Sequence, residues 1–337
     1  MDSVTQGLLG AVMAQAGAKP AELKQATVIG FIAPLLADAD VLIRSSTDAL
    51  LTLQFHRHFT HSLLFIPFGA LVAALLLWPL FVKKLAFSRM YIYALLGYAT
   101  AGFLDALTSY GTHLLWPFVD QKIAWSVIAI VDPLFSAVLI IALLMSFFRL
   151  SHSFARCGLL VAGCYVCFGV LQHSRVEQKI DELAFERNHE ITRKIVKPTI
   201  GNLVLWRSIY QSDGYYYVDA IRVGIFGEVT LYEGTAAKMF DRQTDLKSLS
   251  STSVLSQDIS RFNAFSDGYL IWMPSQKNAL GDIRYAMLPN QIAPMWSIEF
   301  DLDKPSRAAS VLTERDLSQQ QRTLFIAMLL DQPIDVK

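Results

Sequence analysis

Charge is what this chain has least of. Asp, Glu, Lys and Arg make up 17% of its 337 residues, against roughly 25% in ordinary soluble proteins, and the mean hydropathy is +0.37. The deficit is concentrated. Residues 62–82, 133–148 and 157–171 carry no charge, and residues 90–118 contain only Asp105 and one histidine, His113. The longest of these runs can cross about 30 Å of hydrocarbon at a helical rise of about 1.5 Å per residue. A wholly soluble protein is therefore excluded. Excess charge of one sign is also missing: 29 basic and 29 acidic residues balance, so nothing favours a nucleic-acid partner. Cysteine is rare as well. Cys157, Cys164 and Cys167 all lie in one apolar run, where small packing residues are expected rather than a redox pair, and the second half has none to build disulfides. The opening Met1-Asp2-Ser3 lacks the basic region of a cleaved signal peptide and reads as a retained helix start, with Asp2 or Ser3 as N-cap.

What is present divides the chain in two. Six membrane-embedded helices are expected, over about 3–17, 25–37, 61–82, 90–108, 133–149 and 157–173. Lys19-Pro20-Ala21-Glu22 suggests a tight hairpin between the first two. This gives a membrane all-α helical bundle over residues 1–173 and a soluble α+β domain over 174–337. Loops 18–24, 83–89 and 149–156 hold Lys19, Lys24, Lys83, Lys84, Arg89, Arg149 and Arg156, with Glu22 the only acid. The excess of basic residues assigns them to the cytoplasm. Segments 38–60 and 109–132 and the whole second half, through Lys337, then lie outside. The second half should open with a polar continuation of the last helix over Gln172–Lys194. Strands are expected over 214–223, 268–273, 283–287 and 295–300, forming a small antiparallel sheet, with a short helix near 313–330.

Four polar clusters fall at helix ends on the outer side: Asp38-Ala39-Asp40; His56-Arg57-His58-Phe59-Thr60-His61-Ser62; Asp105 to Gly111; and Asp132-Pro133. Carboxylates and imidazoles hold zinc and similar ions, and such an ion lowers the pKa of bound water to about 7. Asp105 stands in an apolar helix, where an acid costs up to about 3 kcal/mol at the bilayer centre, so a partner is expected from the histidine cluster. Arg57 and Asp132 are the candidate catalytic residues. Arg57 would position an anionic group. Asp132-Pro133 fits an N-cap followed by proline at the first helical position, with a supporting role behind the site also open.

These motifs resemble the bacterial inner-membrane metal-dependent hydrolase family (YdjM-like). The likeness runs through Met1 to Gln6, Asp38 to Asp40, His56 to Ser62, Asp105 to Gly111 and Leu114 to Pro117, and continues more thinly at Leu205-Trp206-Arg207 and Phe265-Ser266-Asp267-Gly268. It implies a multi-pass protein of the bacterial inner membrane with an extracytoplasmic C-terminal domain. It also implies a divalent metal, zinc first, held by Asp38, Asp40, His56, His61 and Asp105, with Thr60 and Ser62 behind them. The implied activity is hydrolysis of an ester or phosphoester, with a lipid or lipid-like substrate reached from the bilayer. Three departures stand out. Gln6 and Ala101 occupy positions where many members have histidine, and His58 replaces a glycine. His58 or His113 could substitute for the missing imidazoles. A second reading stays open, in which the polar cluster only knits the helices together and the soluble domain binds a partner.

Overall fold

The computed structural model describes residues 1–274, 276–314 and 318–334. The sidedness expected of Lys337 concerns a residue outside these. The chain forms two compact units. Met1–Ile43, Phe55–Leu171 and Ile200–Leu203 make the first; Arg44–Gln54, Gln172–Thr199 and Val204–Lys337 make the second.

The helices expected from the charge-free runs are present: α1 (Ser3–Ala16), α2 (Leu23–Leu35), α4 (Ile66–Phe81), α5 (Phe87–Ala106), α6 (Pro133–Arg149) and α7 (His152–Glu186), with a short α3 (Leu51–Phe55) between the second and fourth. Asp2 caps α1 by accepting the Thr5 amide. Among the described residues, three helical runs are long and apolar enough to cross a membrane: Pro20–Leu42, Leu63–Phe81 and His152–Glu186. By length and composition, three of the six expected spans are supported. α1, at 14 residues, reaches only about 21 Å; α6 is apolar but has 17 residues; α5 is long enough but carries Arg89, Thr100 and Asp105. On α4, Phe68, Val72, Leu75, Leu76 and Leu80 all point outward. Such a stripe is far too apolar for water and suits lipid.

Inside the first unit the helices meet through small residues. A Cβ on Gly30 would lie 2.4 Å from Ala14 Cβ and 2.5 Å from the Gly10 carbonyl, and one on Gly97 would lie 2.6 Å from the Gly30 carbonyl. α1, α2 and α5 therefore touch backbone to backbone, the packing that membrane helices use where apolar burial alone gives no drive to associate. The hairpin between α1 and α2 is fixed by Glu22, which accepts from Arg89 Nε at 3.0 Å and Nη2 at 2.9 Å. The three cysteines are exposed on α7 rather than packed against neighbours.

The expected polar helix over Gln172–Lys194 stops early. α7 ends at Glu186, Asn188 turns the chain with φ 56°, and strand β1 (Arg193–Pro198) follows. β1 pairs with β2 (Leu205–Ser212), β2 with β3 (Tyr215–Val223), and β3 with both β4 (Val229–Tyr232) and β5 (Ala236–Lys238). The turn Asp213-Gly214, with φ 47° and 76°, joins β2 to β3. After α8 (Arg242–Asp245) and α9 (Val254–Phe265), a second antiparallel sheet runs β6 (Leu270–Trp272), β7 (Ala279–Asp282), β8 (Trp296–Glu299), β9 (Ser310–Thr313), and α10 (Gln319–Leu329) closes the described chain. There are two small sheets, not one. Leu255, Ile259 and Phe262 of α9 pack on Leu270, Leu280 and Ile298, and Leu50 joins that core from the 44–54 segment. Arg261 clamps the same segment through Asp48 at 3.0 and 2.9 Å.

The strand expected over 283–287 is a turn. The amide of Arg284 donates to Asp282 Oδ1 at 3.0 Å. The carbonyl of Ile283 accepts from Arg207 Nη2 at 2.7 Å, and those of Pro289 and Gln291 from Nη1 at 2.8 and 2.7 Å. Ala286 makes an isolated bridge to Pro294, but the side-chain bonds turn the chain at Asp282–Arg284 before a ladder can extend.

Candidate functional site

Three ends of helices in the first unit bring the polar clusters together. α2 runs into a 3-10 stretch, Ala37–Leu42, that carries Asp38 and Asp40. Phe59–His61 is another 3-10 turn, just before α4. Asp105 lies one residue from the end of α5. A Cβ on Gly102 would fall 2.0 Å from the His61 carbonyl, so only glycine lets α5 come this close to the histidine turn.

His61 is the centre. Its Nε2 lies 3.3 Å from Asp38 Oδ1 and 3.2 Å from Asp105 Oδ2. Among the described residues neither His61 Nε2 nor Asp38 Oδ1 has a hydrogen-bond partner of acceptable geometry, although both are buried. One donor atom from each of Asp38, His61 and Asp105 lies within 4.8 Å of the others. With zinc ligand distances of about 2.0–2.1 Å, the edges of a tetrahedron are about 3.3 Å. The donor spacing and the unpartnered atoms both fit an ion, so the residues present suit the metal that the resemblance implies.

Asp40 lies behind this triad. It accepts the Arg57 amide at 2.7 Å and the Thr60 hydroxyl at 3.0 Å, and its other oxygen is 2.9 Å from His56 Nδ1. Thr60 Oγ1 is 3.1 Å from His61 Nδ1. A carboxylate and a hydroxyl at Nδ1 fix the ring so that Nε2 faces the other two acids, the usual support of a metal-binding imidazole. Of the five residues expected as ligands, Asp38, His61 and Asp105 thus converge directly, whereas Asp40 and His56 pair with each other one layer out. Ser62 caps the next turn by accepting the Phe65 amide at 3.3 Å.

Arg57 is buried, with φ 60°. Its Nε is 3.1 Å from Asp105 Oδ2 and its Nη2 donates to the Met1 carbonyl at 3.1 Å. The Met1 ammonium group also pairs with Asp105. Gln6, at a position where the resemblance leads one to expect histidine, donates to Asp105 Oδ2 at 3.1 Å. In the sequence Gln6 is only a departure from the family pattern; its burial beside Asp105 makes it part of the cluster. Ala101 is fully buried one turn before Asp105. Asp132 caps α6, accepting from the Phe135 amide at 3.0 Å and the Tyr165 hydroxyl at 2.8 Å, and is not among the residues gathered round His61. His58 and His113 are not among them either; their rings face each other, 4.5 Å apart.

No curated protein and no solved structure matches the chain. A family model does: the one described as YdjM inner membrane protein matches residues 1–176, more than half of the sequence, and the chain belongs to that family.

Proposed function

We propose that this inner-membrane protein is a metal-dependent hydrolase of an ester or phosphoester, with a lipid or lipid-like substrate. The observation that carries the reading is the geometry at His61: an imidazole nitrogen 3.3 and 3.2 Å from two carboxylate oxygens, with no satisfactory hydrogen bond of its own. Asp38, His61 and Asp105 would hold the ion, zinc first. When bound, such an ion lowers the pKa of a coordinated water towards 7 and polarises an acyl or phosphoryl oxygen. The chain's own residues prepare the site. Asp40 and Thr60 orient His61. Arg57 keeps a positive charge beside Asp105, where it can meet an anionic group. Asp132 keeps the first turn of α6 in place.

The proposed topology is multi-pass, with all six helices embedded and both the clusters and the second unit outside. Residues 44–54 belong to the second unit. Four helices, an even number, separate them from its remainder, which supports placing both on one side of the membrane. A second reading, a non-catalytic protein whose second unit binds a partner, is favoured by one observation. Asp105 is already met by Arg57 and Gln6, so the cluster can be stable without an ion.

The experiment is zinc content and ester and phosphoester hydrolysis by the detergent-purified chain. His61→Ala should insert and fold yet lose the zinc held at this triad and the hydrolysis. A parent whose zinc content and hydrolysis are unchanged by His61→Ala would leave the structural reading.

A further inference from the structure

The first unit contains another group of metal-ligand side chains. The signal starts at Arg57. Its left-handed backbone reverses the chain between two histidines, so that His56 points to Asp40 while His58 points into the loop after α5. The Arg57 carbonyl accepts the His113 amide at 3.1 Å and the Thr112 hydroxyl at 2.9 Å, which ties that loop to the histidine turn. The loop is closed on itself by paired backbone bonds between Thr112 and Ile123. These bonds hold His58 and His113 on one face of the loop.

His58 Nε2 lies 3.5 Å from Asp120 Oδ1, and His113 Nδ1 lies 3.2 Å from the same oxygen. One donor atom from each of the three residues falls within 4.8 Å of the others. Both imidazoles are largely buried, and the His58 ring packs against Phe55, Phe59 and Trp116. His113 Nδ1, the atom that faces Asp120, is buried and lacks a hydrogen-bond partner of acceptable geometry among the described residues. Asp120, in contrast, is exposed, at 78% of its side-chain surface, and leaves a side open to solvent. Lys122 lies over the Tyr110 ring at 4.1 Å.

We infer that His58, His113 and Asp120 form a second divalent-metal site, separate from the triad at His61. Two imidazoles and one carboxylate select first-row ions that accept nitrogen, such as zinc, nickel or copper, over magnesium or calcium. The spacing matches the edges of about 3.3 Å expected at zinc distances. The site binds the loop after α5 to the turn that carries His61 and keeps coordination positions open to water. This assignment does not rest on the hydrolase reading.

The test counts zinc on the full chain, purified in detergent, stripped with chelator and re-equilibrated with Zn²⁺. His61→Ala is expected to retain one equivalent, and addition of His113→Gln should remove it. Asp120→Asn, at an exposed position where folding is not at risk, should weaken that equivalent at least tenfold. The inference is overturned if His61→Ala binds no zinc, or if its zinc is unchanged by both His113→Gln and Asp120→Asn. The hydrolase reading fails differently, when His61→Ala leaves the parent's zinc count intact.

Discussion

Both units bury ionisable side chains, but they use them in opposite ways. In the second unit, Lys197, Arg207, Arg284 and Asp282 are buried together. Arg284 grips Asp282 at 2.9 and 2.7 Å, Arg207 gathers the carbonyls of residues 283, 288, 289 and 291, and Lys197 sits over the Tyr285 ring. The two arginines hold a turn onto a sheet. In the first unit, carboxylates and imidazoles face one another and leave donor atoms unsatisfied. Buried charge by itself marks neither a scaffold nor a site. What differs is whether the backbone consumes the polar atoms or leaves them directed at a common point.

The sharpest way to break that contrast is Arg207→Met. It strands several buried carbonyls at about 1–3 kcal/mol each, so the second unit should lose about 3–5 kcal/mol while the zinc content of the first is unchanged. Denaturant unfolding monitored alongside metal analysis checks both halves. If the variant unfolds no more easily than the parent, Arg207 is not the staple described.

Asp105→Asn comes next. Sequence alone suggests that removing an acid from an apolar helix is neutral or stabilising if the role is structural. The structure reverses this, because Arg57 Nε is 3.1 Å away and would be left buried without its anion. The expected loss is about 2–3 kcal/mol, with metal affinity also reduced. Thermal stability at or above that of the parent would contradict the pairing.

A smaller effect separates Lys197 from its neighbours. Burial, then the Arg284 charge, holds the Lys197 ammonium well below its usual range, and Asp282 only partly offsets this. Burial likewise pushes Arg207 down to about 9. Between the lowered folded value of Lys197 and its unfolded value near 10.4, the unfolded chain binds a proton that the folded chain does not. Stability should therefore rise with pH across that window. Lys197→Met should be more stable than the parent at neutral pH, and its melting temperature should climb less from pH 7 to 9. Equal slopes would show that Lys197 titrates normally. The smallest effect is at Asp48, whose bond to Arg261 is partly exposed. Asp48→Ala should cost less than about 1 kcal/mol yet increase proteolytic cutting within residues 44–54.

Much of the membrane half was legible because lipid imposes a simple demand, a helix with few charges, and the charge-free runs recover it. Strands Tyr215–Val223, Leu270–Trp272 and Trp296–Glu299 were legible from their aromatic and β-branched residues. β2 was missed, although Asp213-Gly214 is a strong hairpin signal that calls for a strand on each side. α9 was also missed, despite Leu255, Ile259 and Phe262 at helical spacing and Ser253 as its N-cap. For the site, the sequence identified the residue types and the helix ends that carry them. It could not pair acid with imidazole, since that depends on the reversal at Arg57 and the close approach at Gly102. The docking of residues 44–54 on the second unit has no local signal at all, because its partner is distant in sequence.

That distance sets an order of manufacture. Arg261 follows Asp48 by 213 residues, so at about 5–20 residues per second roughly 10–40 s separate the making of the two. During that interval the helices on either side of the segment can enter the bilayer while the segment between them has nothing to hold. Residues 44–54 gain their clamp only when α9 has left the ribosome and folded, and a chain interrupted before that helix would lack the Asp48–Arg261 pair while keeping the bonds that hold the histidine turn to Asp40.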